Sequence, residues 1–252
     1  MDTYILGIIN YMSLSIGHWL CLCMMLLCFL CILILWKIWE EKGLYLYNAV
    51  AVVCANIQAL KVAPCFLAEE ALPLATILFA TTFTASDILT ERKGVSAAIL
   101  GVKLSFAAQI MVTLFMLIAV AYPVESGLAG ENEFGTIINP VQYSMHHLFI
   151  PSVRLLVASL TAYYLSQMLD IYLFKAIKNL TKHKFLWLRF NVSTICSGLV
   201  DNVIFSVLAW VLLSDAPVST NMLIYVYVLG SYGFRVVVNI ASTPVIYYTR
   251  KK

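Results

Sequence analysis

The sequence predicts an all-α polytopic membrane protein, folded as a compact bundle of hydrophobic helices, and three observations lead there. Hydrophobic residues make up 62% of the chain, charged residues only 12%, and the mean hydropathy is +0.90. A soluble domain carries about 25% charged residues to cover its surface, so lipid must be the solvent for much of this chain. Next, seven apolar stretches follow one another, and a spanning helix needs about 20 apolar residues. Finally, the basic residues gather in alternate connections. Together these exclude a soluble enzyme, a disordered chain and a single-span receptor. A formal net charge of +3 gives no sign of nucleic acid as a partner.

The stretches run near Leu14–Trp36, Leu44–Leu60, Leu72–Leu89, Val95–Tyr122, Phe149–Phe174, Phe185–Leu213 and Met222–Tyr248. Each reads as a span by length and hydropathy. The first is too long for a signal peptide, and Met1–Ser13 holds no Lys or Arg for a positive leader region. Between the fourth and fifth stretches, Pro123–Gln142 carries Gly127, Gly130, Gly135 and Pro140 and reads as an outside loop or short re-entrant piece.

Orientation follows from charge. Lys37, Lys42, Arg92, Lys93, the loop from Lys175 to Arg189 and the tail Arg250, Lys251 and Lys252 fall on one side through seven spans. They are twelve of the sixteen basic residues. The other side carries Glu69, Glu70, Glu125, Glu131, Glu133 and Asp215. The positive-inside rule makes the basic face cytoplasmic, with the N-terminus outside and the C-terminus inside.

Seven cysteines are present, six of them in apolar stretches, without the paired spacing of a zinc site. They read as small apolar packing groups rather than a disulfide framework. His18, His146, His147 and His183 lack ligand-like partners at helical spacing, so no metal and no cofactor are expected.

The informative residues are polar ones inside apolar stretches. Asp87, Asp170, Asp201 and Arg235 each would cost about 2.5–3.5 kcal/mol at a lipid-facing helix centre, so they are expected to face a protein interior or a wet cavity. Their neighbours agree. Asn191, Thr194, Ser197, Asp201 and Phe205 share one helix face, as do Ser231, Arg235, Asn239 and Thr243. Thr84, Asp87 and Glu91 form a shorter edge, and Ser159, Tyr163, Ser166 or Gln167, and Asp170 another. The bland alternative is that these groups pair, Asp201 with Arg235 above all, and only orient the bundle. Ser166-x-x-x-Asp170-x-x-x-Phe174 and Ser197-x-x-x-Asp201-x-x-x-Phe205 repeat one spacing on spans of opposite direction.

There is no GxSxG, HExxH, P-loop or GxGD setting, so enzymatic signatures are mostly absent and an ATP-driven motor is not encoded. The string Thr84-Ala-Ser-Asp-Ile-Leu-Thr-Glu-Arg-Lys-Gly94 resembles a signature of the queuosine-precursor transporters, also called vitamin uptake transporters. Ser166-Gln167 with Asp170, Leu186-Trp187-Leu188-Arg189, Ser193-Thr194, Ser197 with Asp201 and Phe205, Asn56 with Lys61, and Thr243-Pro244 with Tyr247 extend the resemblance from about Asn48 to Tyr248. Lys93, Gly198, Asn202 and Arg235 depart from the family's usual residues.

The resemblance implies a six-span core over residues 44–252, similar to the substrate-binding subunits of energy-coupling-factor transporters, with an extracytoplasmic loop near 123–148. Residues 1–43 then supply one extra N-terminal span. It implies uptake of 7-deazaguanine compounds (queuosine precursors or queuine) for tRNA modification, through the bacterial cytoplasmic membrane, by a secondary carrier.

A guanine-like ring offers two N–H donors that one carboxylate can accept, a carbonyl that wants a donor, and a flat face that wants an aromatic ring. The expected substrate-binding residues are Asp201, Asn202, Gln167, Arg235, Asn239 and Asn56, with Phe205 or Tyr163 stacking. Asp87, Glu91 and Asp170, toward the cytoplasmic ends of their spans, are expected to couple a proton or form a gate. A homodimer is left open. The rival readings are a binding subunit that needs an external ATP-driven module, and a membrane enzyme acting on a lipid with Asp87 and Asp201 as acid and base.

Overall fold

Long apolar runs make long helices, and among the described residues seven of them dominate, the last continuing through Pro244. The computed structural model describes residues 2–59, 61–63, 65, 72–123, 135–149, 152–214 and 218–250. Helix α1 (Asp2–Trp39) has 38 residues, a length of about 57 Å at 1.5 Å per residue. That exceeds a hydrocarbon core of about 30 Å, and within it Ile16–Trp39 is long and apolar enough to cross one.

Glu40, at φ 51°, turns the chain into α2 (Glu41–Gln58). The turn is tight: a Cβ on Gly43 would lie 2.3 Å from the Leu35 carbonyl oxygen, so only glycine fits. Glu40 also bonds Lys93 at 2.6 Å, which holds that exposed ammonium's pKa above its usual range and ties this turn to the end of α3.

A two-residue antiparallel pairing, β1 (Val62–Ala63) with β2 (Leu72–Pro73), leads into α3 (Ala75–Arg92). Fifteen of its eighteen residues are buried, and α1, α2, α4, α6, α7 and α9 all touch it. Helix α3 is the axis of the bundle. Protein rather than lipid surrounds it, which is why it tolerates a run of Thr, Ser and Asp.

Gly94, at φ 92°, breaks the chain before α4 (Val95–Ala121). Then come α5 (Gly135–Phe149), α6 (Ser152–Leu180) and α7 (Leu186–Val207), which continues as a wide π-helical turn over Leu208–Leu212. A short α8 (Thr220–Met222) and a second π-helical stretch, Leu223–Gly230, lead into α9 (Ser231–Arg250).

Among the described residues, three helices are long and apolar enough to cross a membrane: Ile16–Trp39, Val95–Ala121 and Leu186–Leu212. Helices α2, α3, α6 and α9 bury polar faces instead, which lowers their mean hydropathy. Large apolar side chains cover the outside, among them Trp19 on α1 and Phe115 on α4. Apolar surface so extensive is what lipid covers.

Three expectations are corrected. Gly135–Phe149 is a helix lying on α4 and α6, where Gly135 and Pro140 had suggested an outside loop over 123–148. Ile137, Ile138, Val141, Met145, Leu148 and Phe149 recur at helical spacing, and that apolar stripe outweighs the two breakers. Cys21 and Cys65 form a disulfide, with Cα atoms 5.7 Å apart, a separation suited to the bond. The other five cysteines are free. Arg189, read as part of a basic loop, is fully buried. The expectations for residues 124–134, for Glu69, Glu70 and Asp215, and for Lys251 and Lys252 lie outside the described residues.

Candidate functional site inside the bundle

Helical periodicity brings four polar faces together, and they form three layers along the bundle. The first layer is Asp201 on α7 with Arg235 on α9, whose Nη1 donates to Asp201 Oδ2. Both side chains are about nine-tenths buried. The other Asp201 oxygen accepts from Ser166 Oγ of α6 at 2.8 Å.

One turn along, Ser197 of α7 donates to Asp170 of α6 at 2.9 Å, and Thr194 donates to Asp87 of α3 at 3.0 Å. Thr194 and Ser197 lie three residues apart on α7, so the two carboxyls that they hold, Asp87 and Asp170, are neighbours. Both are fully buried. Asp87 Oδ1 and Asp170 Oδ2 have no donor on them.

The third layer is an ion cluster. Glu91 of α3 bonds Arg189 of α7 at 2.8 Å and Lys178 of α6 at 3.0 Å. Arg189 Nη1 also donates to the Lys184 carbonyl at 3.1 Å, and its guanidinium lies 5.6 Å from the Phe174 ring centroid. Three helices are thereby tied at the end that carries the lysine-rich α6–α7 turn.

A narrow cavity lies beside the Asp201–Arg235 pair. Ala80 and Phe83 of α3, Thr194, Ile195 and Gly198 of α7, and Tyr232, Arg235, Val236 and Asn239 of α9 line it. Its free volume is about 10 Å³, roughly what one water needs. Pockets for small ligands hold about 300–1,000 Å³. The wet chamber expected from the polar faces is therefore closed here, with acceptor and donor satisfying each other.

The residues singled out in the sequence divide by place. Arg235 and Asn239 line the cavity, while Asp201 is bonded to Arg235 and is not itself among the lining residues. Gln167 points from α6 to Thr82 of α3 at 3.0 Å and leaves its Oε1 unpartnered. Tyr163 is fully buried, with its ring 6.4 Å from that of Phe79. Asn202 donates to the Val228 carbonyl and to Ser231, joining α7 to the start of α9. Asn56 bonds the Val52 carbonyl of its own helix at 3.0 Å. Asn56, Asn202 and Phe205 are not among the cavity-lining residues.

Phe83 and Tyr232, the two aromatic rings on the cavity, were missed. Phe83 precedes Asp87 by four residues and Tyr232 precedes Arg235 by three, so helical spacing from the charged positions could have found both. Lys178 and Arg189 were hidden by their place in a basic loop.

Residues 73–249 match a family described as "Putative vitamin uptake transporter", a span that contains all three polar layers. The chain is 29% identical over 224 residues to the "Probable queuosine precursor transporter" of Bacillus subtilis (strain 168), covering 88% of this chain and 90% of that protein. No solved structure matches.

Proposed function

The chain belongs to the vitamin uptake transporter family, and from that premise we propose that it imports 7-deazaguanine compounds, queuosine precursors or queuine, as a secondary carrier. It is a membrane transporter and not an enzyme. The observation that carries the substrate assignment is the Asp201–Arg235 pair beside the cavity. A deazaguanine presents two N–H donors next to a carbonyl oxygen. A carboxylate beside a guanidinium offers the complementary order of acceptor and donor.

In the closed state these two groups neutralise one another, which lowers the cost of keeping charge away from water. A substrate that replaces the pair's mutual bonds by its own leaves neither charge unpaired. Phe83 or Tyr232 supplies the flat face, and Asn239, whose Oδ1 has no partner, offers a further polar contact. Entry requires α9 to separate from α3 and α7, since one water's volume cannot hold a bicyclic ring. The name of the Bacillus subtilis relative supports the same substrate class.

The Glu91–Arg189–Lys178 cluster closes the cytoplasmic side in this reading, and its opening releases the cargo. Seven spans, with the N-terminus outside and α1 as an addition to a six-span core, complete the arrangement in the bacterial cytoplasmic membrane. The Cys21–Cys65 disulfide supports that orientation, because it lies at the end away from the basic turns and such bonds persist in oxidising surroundings.

The test is uptake by the purified chain in liposomes, without ATP or a second protein, from a panel of 7-deazaguanine, guanine and vitamins. Entry of 7-deazaguanine in preference to the vitamins is expected. Uptake that appears only with an ATPase partner, or preference for a vitamin, contradicts the reading.

A further inference from the structure

Asp87 and Asp170 meet inside the bundle with no cation between them. Asp87 approaches from α3 and Asp170 from α6, held by Thr194 and Ser197 three residues apart on α7, and among the described residues Asp87 Oδ1 and Asp170 Oδ2 have no donor. Two ionised carboxylates in contact away from water repel strongly, and a pair so placed holds a proton between its oxygens.

Among the described residues, none of the surrounding cations is bonded to the pair, although the nearby Glu91 cluster, with two cations on one carboxylate, carries a net positive charge. On α3, Glu91 adds another carboxylate. On α6 and α7, Lys178 and Arg189 are bonded to Glu91. On the far side, Asp201 is held by Arg235 of α9. Thr194 and Ser197 each donate to one outer oxygen of the pair, which orients the two acids but adds no charge.

We propose that Asp87 and Asp170 share one proton and form the site for the coupling ion. Thr194 connects this site to the cargo. Its hydroxyl holds Asp87 at 3.0 Å while the residue itself lines the cavity beside Arg235 and Asn239. A ligand that displaces Thr194 alters the support of the acid pair, and loss of the proton alters the wall of the cavity. The shared proton leaves to the cytoplasm once the Glu91 cluster opens, and a proton taken from outside with the next cargo replaces it, so each cycle returns the pair to one shared proton. The transport role rests on the reading of the chain as a carrier; the shared proton does not.

The test has two arms on the full chain in liposomes. Infrared spectra of the wild type at neutral pH should contain the carbonyl stretch of a protonated carboxylic acid, and its titration midpoint should shift in both Asp87→Asn and Asp170→Asn. Absence of that band, or a shift in one variant alone, overturns the shared proton. In the second arm, accumulation of 7-deazaguanine under an outside-acid pH gradient should be lost when a protonophore collapses the gradient. Accumulation that ignores the gradient overturns the coupling role while leaving the carrier reading intact. A wild type that does not move 7-deazaguanine at all contradicts the substrate assignment, and the infrared arm still decides the acid pair.

Discussion

Ser166 of α6 donates to Asp201 of α7 at 2.8 Å, and the relation is returned one turn away, where Ser197 of α7 donates to Asp170 of α6 at 2.9 Å. The two helices run in opposite directions, so the same Ser-x-x-x-Asp spacing on each sets every serine against the other helix's aspartate. The repeated motif is a reciprocal brace across the α6–α7 interface. It holds one carboxylate against Arg235, beside the cavity, and the other next to Asp87.

Ser197→Ala should weaken the fold by about 1.5–3 kcal/mol, the range for a hydrogen bond to a charged group. Thermal unfolding in detergent reads this directly. Wild-type stability in both Ser197→Ala and Ser166→Ala would show that the brace contributes nothing.

Glu91→Gln removes the carboxylate from a fully buried Arg189. Stranding a buried charge costs about 3–5 kcal/mol, so this variant should melt well below the parent. An unchanged melting temperature would mean that Arg189 finds another partner, and the cluster would lose its standing as a lock.

Gly198→Ala separates folding from function. A Cβ there meets nothing within 4 Å, and replacing a helix glycine by alanine favours the helix by about 0.5–1 kcal/mol. The added methyl projects into the wall of the cavity. Stability should hold or rise while 7-deazaguanine affinity falls, measured by melting and by equilibrium binding. Undiminished affinity would place the cargo elsewhere.

Thiol labelling of the unfolded, unreduced chain should modify the five free cysteines and spare Cys21 and Cys65. Reduction should expose all seven. Labelling of Cys21 without reductant, read by mass spectrometry, would remove the link between α1 and the loop after α2.

Much of the site was legible before the fold was known, for a physical reason. Charged groups in apolar stretches must face inward, and a period of 3.6 residues says which neighbours go with them. Asp201, Arg235, Asn239, Asp87 and Asp170 stand out on those grounds, and the structure turns all five inward; the Asp201–Arg235 bond is the one that the plain helix-pairing alternative expects. Periodicity could not find features that depend on how helices approach one another. Asn202 sits beside Asp201 in sequence, but one residue along a helix is about 100° around it, so its amide meets α9's entry instead of the cavity. Cys21 and Cys65 are 44 residues apart and come together only when α1 lies on the core. Arg189 reads as one more cytoplasmic cation until Glu91 and Phe174 are seen around it.

The central claim is that Asp201 and Arg235 trade their mutual bond for a planar heterocycle. Equilibrium binding of 7-deazaguanine to the purified wild type and to Asp201→Asn tests it most directly, with melting curves to confirm that both are folded. The account predicts saturable binding by the wild type and its loss in the folded variant. Equal affinity in the two proteins would contradict it.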